Sequence, residues 1–472
     1  MIYFRFPRVL LVAAVAVAPA ACTTYRPVPL VPAQSAAALE QRTLADERLQ
    51  EFLRLSPQTQ TSSAGAWDLE RLTLAALYFH PDLEVAQSRL AVAQAAIRTA
   101  AQRPNPGLTI DGGFNATSAN PTALTIGTAI NLLLELFGKR GHRTEQAEAL
   151  EAAARHDIAT AGWEVRGRVR SAYIDMWAAS QRIALSARQL EFQEQLVGFL
   201  GRRQVVGEAS GLDVSRERVN LDRYRLAERD AERDLATARA ALATAIGVPA
   251  DALQGVAIDF GAIPTAVPPT EGIAPLRRQA LTGRSDIVSS LKQYDAAEAA
   301  LRLQIANQFP NLTLGPGYTY DQGDNKFSLS ASADLPIFNQ NQGPIAEAVA
   351  RRRLSAANFE ALQATVLGAV DRASADYQAS TRSLERAEAL LSEQTARQAR
   401  TKRLFDAGQI DHVTLLAGEL ELAATELERL LALTNQRRAL GAIEDALQQP
   451  IFAPASPPAT AGPTLRSEER SE

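Results

Sequence analysis

The chain has 472 residues, 46% of them hydrophobic and only 6% aromatic, with a formal net charge of −4. This length suffices for two or three ordinary domains or one very elongated one. The slight acidity excludes a broad basic surface for nucleic acid, and a single cysteine, Cys22, excludes a disulfide within one chain.

Residues 1–21 read as an export signal: Arg5 and Arg8 precede the apolar run VLLVAAVAVA. Such a run is too short for a membrane-spanning helix, which needs roughly 20 apolar residues. PAACTT follows, and it resembles the lipobox of bacterial lipoproteins, with Pro19 where that family usually has Leu. The resemblance implies lipidation of Cys22 as the first mature residue, and Thr23 after it implies an outer-membrane address. The alternative is ordinary cleavage near Ala20 or Ala21, which leaves Cys22 a free thiol. Residues 22–65 then read as an extended lead-in.

From residue 66 the chain repeats itself. HPDLEVAQSRLAVAQAAIRTAAQRPNPGLTI (80–110) aligns with RSDIVSSLKQYDAAEAALRLQIANQFPNLTL (284–314) at an offset of 204. After the strands the offset is 201: Phe137 meets Phe338, Gly207 meets Gly408 and Pro249 meets Pro450. The repeats span 66–247 and 273–450, joined by a Pro- and Gly-rich linker, 248–272, and followed by a tail, 451–472, whose composition predicts disorder.

Each repeat predicts the same elements in order. A helix comes first, about 68–103 and 273–307. Two strands follow, 107–116 with 122–133 and 312–320 with 326–335. A very long helix comes next, 138–206 and 339–407, then a Gly-centred turn, then a closing helix, 212–246 and 413–447. Proline, which costs ~3 kcal/mol inside a helix, is absent from 122–248 and from 345–449. Leu416, Leu420, Ala423, Leu427 and Leu430 step 4-3-4-3, and Leu235, Ala238, Leu242 and Ala245 step 3-4-3. These are coiled-coil seams, and they predict antiparallel helical hairpins folded back at Gly207 and Gly408.

The strands alternate with a period of two. Leu108, Ile110 and Phe114 share one face, as do Leu124, Ile126, Ile130 and Leu132, then Leu312, Leu314, Tyr318 and Tyr320, then Phe327, Leu329, Ala331 and Leu335. The opposite faces are small and polar. Strands of about 9–12 residues match tilted spans of an outer membrane. Four strands cannot close a lipid-exposed barrel, whose smallest form has eight, and open edges are forbidden in lipid. If the strands span, several copies must share one barrel. The competing arrangement is two hairpins packed face to face as a small sandwich.

Two tandem repeats of helix, β-hairpin, long helix, Gly turn and helix resemble the TolC-like outer-membrane efflux proteins. The carrying segments are HPDLEVAQSRLAVAQAAI and RSDIVSSLKQYDAAEAAL, then PNPGLTI and FPNLTL, then the turns at Gly207 and Gly408. The resemblance implies a mainly helical chain with a membrane β-barrel part. It further implies a homotrimer with a twelve-stranded barrel in the outer membrane of a Gram-negative bacterium, continued by a periplasmic α-helical barrel with an equatorial belt. The implied partners are outer-membrane lipid, a periplasmic adaptor and an inner-membrane transporter of the resistance-nodulation-division type. LELFGKRGHR (134–143) is similar to the stretch after the first hairpin in outer-membrane components of cobalt–zinc–cadmium efflux systems. Its Gly138, Lys139, Arg140 and Arg143 also read as a polar collar where a strand leaves the membrane. Drug efflux and protein secretion ducts share the fold, and a non-porous coiled-coil scaffold or adaptor is the rival outside the transport class.

No catalytic constellation, cofactor motif or metal-ligand spacing is present, and the four histidines, at 80, 142, 156 and 412, are scattered. An enzyme is not expected. The resemblance implies that the turns at Gly207 and Gly408 form the periplasmic tip, with adaptor contacts and an acidic aperture. Asp213 stands at the implied acidic position of the first turn. Thr414 takes that place in the second, where Asp411 lies nearer the turn. Asp213 reads equally as an acid complementing a helix N-terminus.

Overall fold

A computed structural model describes residues 24–56, 67–116, 123–261 and 273–450. The expected signal segment, Cys22, the 451–472 tail and residues 262–272 of the linker lie outside the described residues.

The lead-in is not extended. It holds two short helices, α1 (Pro32–Glu40) and α2 (Glu47–Leu55). Asp46 caps α2 by accepting from the Leu49 amide, and Leu49 and Leu53, one turn apart, are buried. Between the helices, Arg42 donates to the carbonyls of Phe79 and Gly247 at 2.8 and 3.0 Å. It thereby satisfies carbonyls at two helix ends that have no intrahelical partner.

The first expected helix of each repeat is broken in two. In the first repeat α3 (Leu69–Phe79) and α4 (Pro81–Ala101) meet at His80, whose ψ is 127°. A residue before proline is pushed out of the helical region by the pyrrolidine ring. After α4 come β1 (Gly107–Phe114) and β2 (Leu124–Leu134), α5 (Lys139–Val205), α6 (Gly211–Ile246) and a single 3-10 turn, Ala250–Leu253. In the second repeat α7 (Ile273–Gly283) and α8 (Ser285–Ala306) meet at Arg284, ψ 136°, with no proline. There the break serves a contact: Arg284 bonds the carbonyls of Asp445 and Ala446 and pairs with Asp286. The repeat continues with β3 (Leu312–Asp321), β4 (Asp324–Ser332), α9 (Gln342–Asp406) and α10 (His412–Leu447).

Helices α5 and α9, of 67 and 65 residues, reach about 100 Å at 1.5 Å per residue. Each folds back on its shorter partner, α5 on α6 and α9 on α10. Along α10, Leu416, Ala423 and Leu430, seven apart, are buried, and Leu420 and Leu427 between them are half-buried. Two apolar clusters sit at matching places in the repeats. Val165, Val169 and Leu242 lie in the first, and Val366, Val370 and Ile443, each 201 positions on, in the second. The first part of the linker packs against the first cluster, where Ile258 bridges to Trp67 and the Tyr173 hydroxyl donates to the Asp259 carbonyl.

The repeats are joined along α5 and α10. Arg170 pairs with Glu444 at 2.6 Å, both buried, and Arg166 reaches Glu444 at 3.3 Å. Further along, Asp175 pairs with Arg438 and Arg188 with Glu426, each at 2.7 Å. These pairs set the register of one hairpin against the other; removing one member of a buried pair strands a charge and costs about 3–5 kcal/mol.

The four strands form one antiparallel sheet in the order β1-β2-β3-β4. The hairpins therefore join edge to edge, Leu132 opposite Leu314 and Thr128 opposite Tyr318, and the sandwich does not occur. Register places the apolar residues of all four strands on one face: Leu108 opposite Ile130, Leu132 opposite Leu314, Tyr318 opposite Phe327.

Candidate functional site: an exposed sheet, a collar and two helical tips

The apolar face of the sheet is bare. Leu108 and Ile110 are 68% exposed, Leu329 75% and Phe327 85%. A contiguous apolar face of this kind is a surface for lipid or for another chain. Among the described residues no helix is long and apolar enough to cross a membrane. The other face carries Thr109, Thr125, Gly127, Ala129, Asn131, Thr313, Ser328 and Ser330, linked in places by side-chain bonds such as Asn131 to Thr109 at 2.7 Å. One face suits hydrocarbon and the other water.

Where the strands give way to helices, the residues expected at the collar are brought together, and most are tied down. Gly138 precedes α5 in the left-handed region, φ 73°. Lys139 is buried, and its Nζ donates to the Phe309 carbonyl and to Asn311 Oδ1, each at 2.7 Å. That burial pushes its ammonium below the ordinary lysine value. Arg143 forks onto Glu135 at 2.8 and 3.2 Å, and it also donates to the carbonyls of Ala100 and Gln102 at the end of α4. The guanidinium bonds hold the Glu135 carboxyl below the usual range. Arg140 is half-buried and its backbone carbonyl accepts from Thr144. The second repeat meets the same need without charge. Asn341 Nδ2 donates to the Gln304 carbonyl at 2.6 Å, and Gln304 is the counterpart of Ala100. The charges of Lys139 and Arg143 thus bond groups at the joint between strands and helices.

At the far end the two tips share one design. Gly207 and Gly408 have φ of 80° and 70°. In each turn two amides bond back: Glu208 to the Arg203 carbonyl and Gly207 to that of Gln204, then Gln409 to Leu404 and Gly408 to Phe405. This double bond pattern needs a left-handed residue after the helix, which glycine adopts without strain. A Cβ at either position would meet nothing within 4 Å, so conformation and not space selects glycine.

Helices α6 and α10 then start with reciprocal caps. Ser210 accepts from the Asp213 amide at 3.0 Å, and its hydroxyl donates to the Asp213 carboxylate at 2.7 Å. Asp411 accepts from the Thr414 amide at 2.9 Å and from the Thr414 hydroxyl at 2.7 Å. At the offset of 201, Ser210 corresponds to Asp411 and Asp213 to Thr414. The absent second acid is therefore an exchange of hydroxyl and carboxylate within one capping arrangement. Arg203 joins the tips, reaching Asp411 at 3.2 Å, and His412 lies between the rings of Phe199 and Phe405. Composition alone did not reveal Arg203 or Phe199, whose counterparts are Leu404 and Arg400.

The model of the outer membrane efflux protein family matches residues 74–248 and 276–448, and the chain belongs to that family, whose members are transport channels. The cobalt-zinc-cadmium resistance protein CzcC of Cupriavidus metallidurans is 24% identical over 62% of this chain and 68% of its own. The pyoverdine export outer membrane protein OpmQ of Pseudomonas aeruginosa is 28% identical over 82% of each. Among solved structures, the outer-membrane channel OprN superposes with a TM-score of 0.67 at 21% identity, covering 90% of this chain and 98% of that one. The protein is thus an outer-membrane efflux channel subunit of TolC-like fold.

The thermodynamics of the second tip are open to direct test. The Thr414 amide, then its hydroxyl, then Arg203 hold the Asp411 carboxyl below its ordinary value of 3.8. A depressed acid contributes stability above its unfolded pKa and loses it as pH falls through the folded one. Asp411→Ala should cost about 1 kcal/mol of capping and speed hydrogen exchange of the Thr414 and Leu415 amides, which bond Asp411, roughly fivefold at neutral pH. In the wild type the same release should set in only below about pH 3.8, and exchange that is insensitive to both would show that the cap does not hold the turn.

Proposed function

We propose that three copies of this chain close one barrel and form the exit duct of a tripartite pump. The observation that carries this reading is the four-stranded sheet with a bare apolar face and two free edges, continuous with helices long enough to cross a periplasm. The tips at Gly207 and Gly408, with Asp213 and Asp411, are the end that meets a periplasmic adaptor. Energy comes from an inner-membrane transporter of the resistance-nodulation-division type. Cys22, lipidated, adds an anchor in the outer membrane.

The proposed cargo is divalent heavy-metal cations, on the similarity to CzcC and the LELFGKRGHR stretch. A second reading, an organic cargo such as a siderophore or drug, is favoured by the longer match to OpmQ and by the structural use of Lys139 and Arg143. A wide aqueous duct selects poorly, so no metal ligand is required of this chain. Deletion of the gene should sensitise cells to cobalt, zinc and cadmium, with rescue by the intact gene. Sensitivity to antibiotics and dyes alone would assign the organic cargo.

Asp213 is proposed as the aperture acid, three carboxylates converging at the closed tip. Single-channel recordings of Asp213→Asn should show weaker block by divalent cations. Unchanged block would leave this carboxylate as the partner of Ser210 alone.

A further inference from the structure

From the apolar clusters to the tips, the helices of one chain lie in a row: α6 beside α5, α5 beside α10, α10 beside α9. The inner seam, α5 against α10, carries a ladder of charge. Arg170 pairs with Glu444 and Asp175 with Arg438. Beside the second rung the Arg437 guanidinium lies 4.0 Å from the centre of the Trp177 ring. Toward the tips Arg188 pairs with Glu426 and Arg203 with Asp411. The rungs keep one register. From Arg170 to Arg203 α5 advances 33 positions, and from Glu444 to Asp411 α10 retreats 33. Gly441 leaves room for the first rung, since a Cβ there would stand 2.6 Å from Arg170 Nε.

The outer helices of the row are α6 and α9. In a ring of copies, α9 of one chain meets α6 of the next. That seam repeats the inner one, because at the offset of 201 α9 is the counterpart of α5 and α10 that of α6. Its apolar part is kept. Leu212, Val219 and Leu226, seven apart on α6, are exposed, and their counterparts Val413, Leu420 and Leu427 on α10 are half-buried. Its charge is not kept. At the places of three rungs stand Asp376 with Thr237, Ala389 with Arg225, and Leu404 with Ser210. At the first rung Ala243 replaces Glu444, and Asp371, the counterpart of Arg170, pairs with Arg277 of its own repeat. Ala240 takes the place of Gly441. No two opposite charges share a rung of the outer seam.

We propose that the seam between copies is the one that parts when the duct opens at its tips, and that α5 and α10 of each chain move as one body. The proposal rests on the trimeric reading above and adds to it which contact yields. Apolar burial is non-directional, so a seam held by it alone lets helices slide and roll. An ion pair weakens as its partners separate, so a ladder holds one register. Parting the inner seam would also strand the buried charges of Arg170 and Glu444. Both seams have the apolar stripe, and only the inner one adds the ladder. Under equal strain the three outer seams of the ring give first.

Charge placed on the outer seam of the full-length protein tests this. Thr237 and Ala389 are exposed, as are Asp376 and Arg225. Thr237→Arg sets a cation opposite Asp376 of the next copy, and Ala389→Glu sets an anion opposite Arg225 of the next copy. In single-channel recordings at neutral pH and ~0.1 M salt, each should lower the open probability by about threefold or more, as three weak exposed pairs would. At ~1 M salt, where charges act over roughly 3 Å, the effect should vanish. Thr237→Glu, of the wrong sign, should not lower opening. Arg188→Gln with Glu426→Gln, which removes an inner rung, should leave opening unchanged. If that removal raises opening, the inner seam parts and the proposal is overturned. It is equally overturned if both outer variants leave opening unchanged, or if Thr237→Glu lowers it as much as Thr237→Arg. The detergent-corrected mass separates the claims: with three chains these outcomes judge the seam, and one chain in the wild type overturns the trimer beneath it.

Discussion

Backbone hydrogen bonding in a medium without water is the constraint on which the architecture depends. Each unpaired amide or carbonyl in hydrocarbon costs several kcal/mol. A helix satisfies these groups by itself, but no described helix here is apolar enough to cross. A sheet satisfies them only when it has no edges, and the sheet of one chain has two. The apolar face, the exposed edges and the family membership are three aspects of one requirement, that the barrel be completed by further copies. The even strand number helps, because β1 and β4 run in opposite directions and a repeating ring stays antiparallel throughout.

The helical part solves a different problem, that of length. Helices of 67 and 65 residues extend far beyond any single globular core, so their stability is distributed along coiled-coil seams. At the membrane end Arg143 and Asn341 bond loose carbonyls of neighbouring helix ends, and Lys139 bonds the Phe309 carbonyl in the connection before β3. At the far end the paired glycine turns and reciprocal caps close each hairpin with local bonds. Between them the ion pairs of α5 with α10 fix how the two hairpins sit.

Much of this was legible in the residue pattern. The two offsets, the four strands with their apolar faces, and the long helices follow from periodicity and from the exclusion of proline, and the observed bounds differ from the expected ones by at most three residues at the ends of the long helices. What was not legible depended on tertiary contacts. The break at His80 has a local cause in Pro81. The break at Arg284 follows Gly283, a weak helix former, and is tied to carbonyls of α10 more than 150 positions away. The lead-in reads as extended because its helices are short, and Leu44, Leu49 and Leu53, with Phe52 beside them, carry it into the core. At the candidate site, the charges of the GKR stretch were visible, but the bonds of Lys139 across the repeats were not. The apparent loss of an acid at Thr414 became intelligible only when the caps were seen to exchange partners.

The measurement that bears most directly on this account is the rotational symmetry of the detergent-solubilised protein by electron cryo-microscopy. The account predicts threefold particles with a closed ring of twelve strands continued by a helical tube. Single-chain particles, or a sheet covered by the chain's own helices, would contradict it.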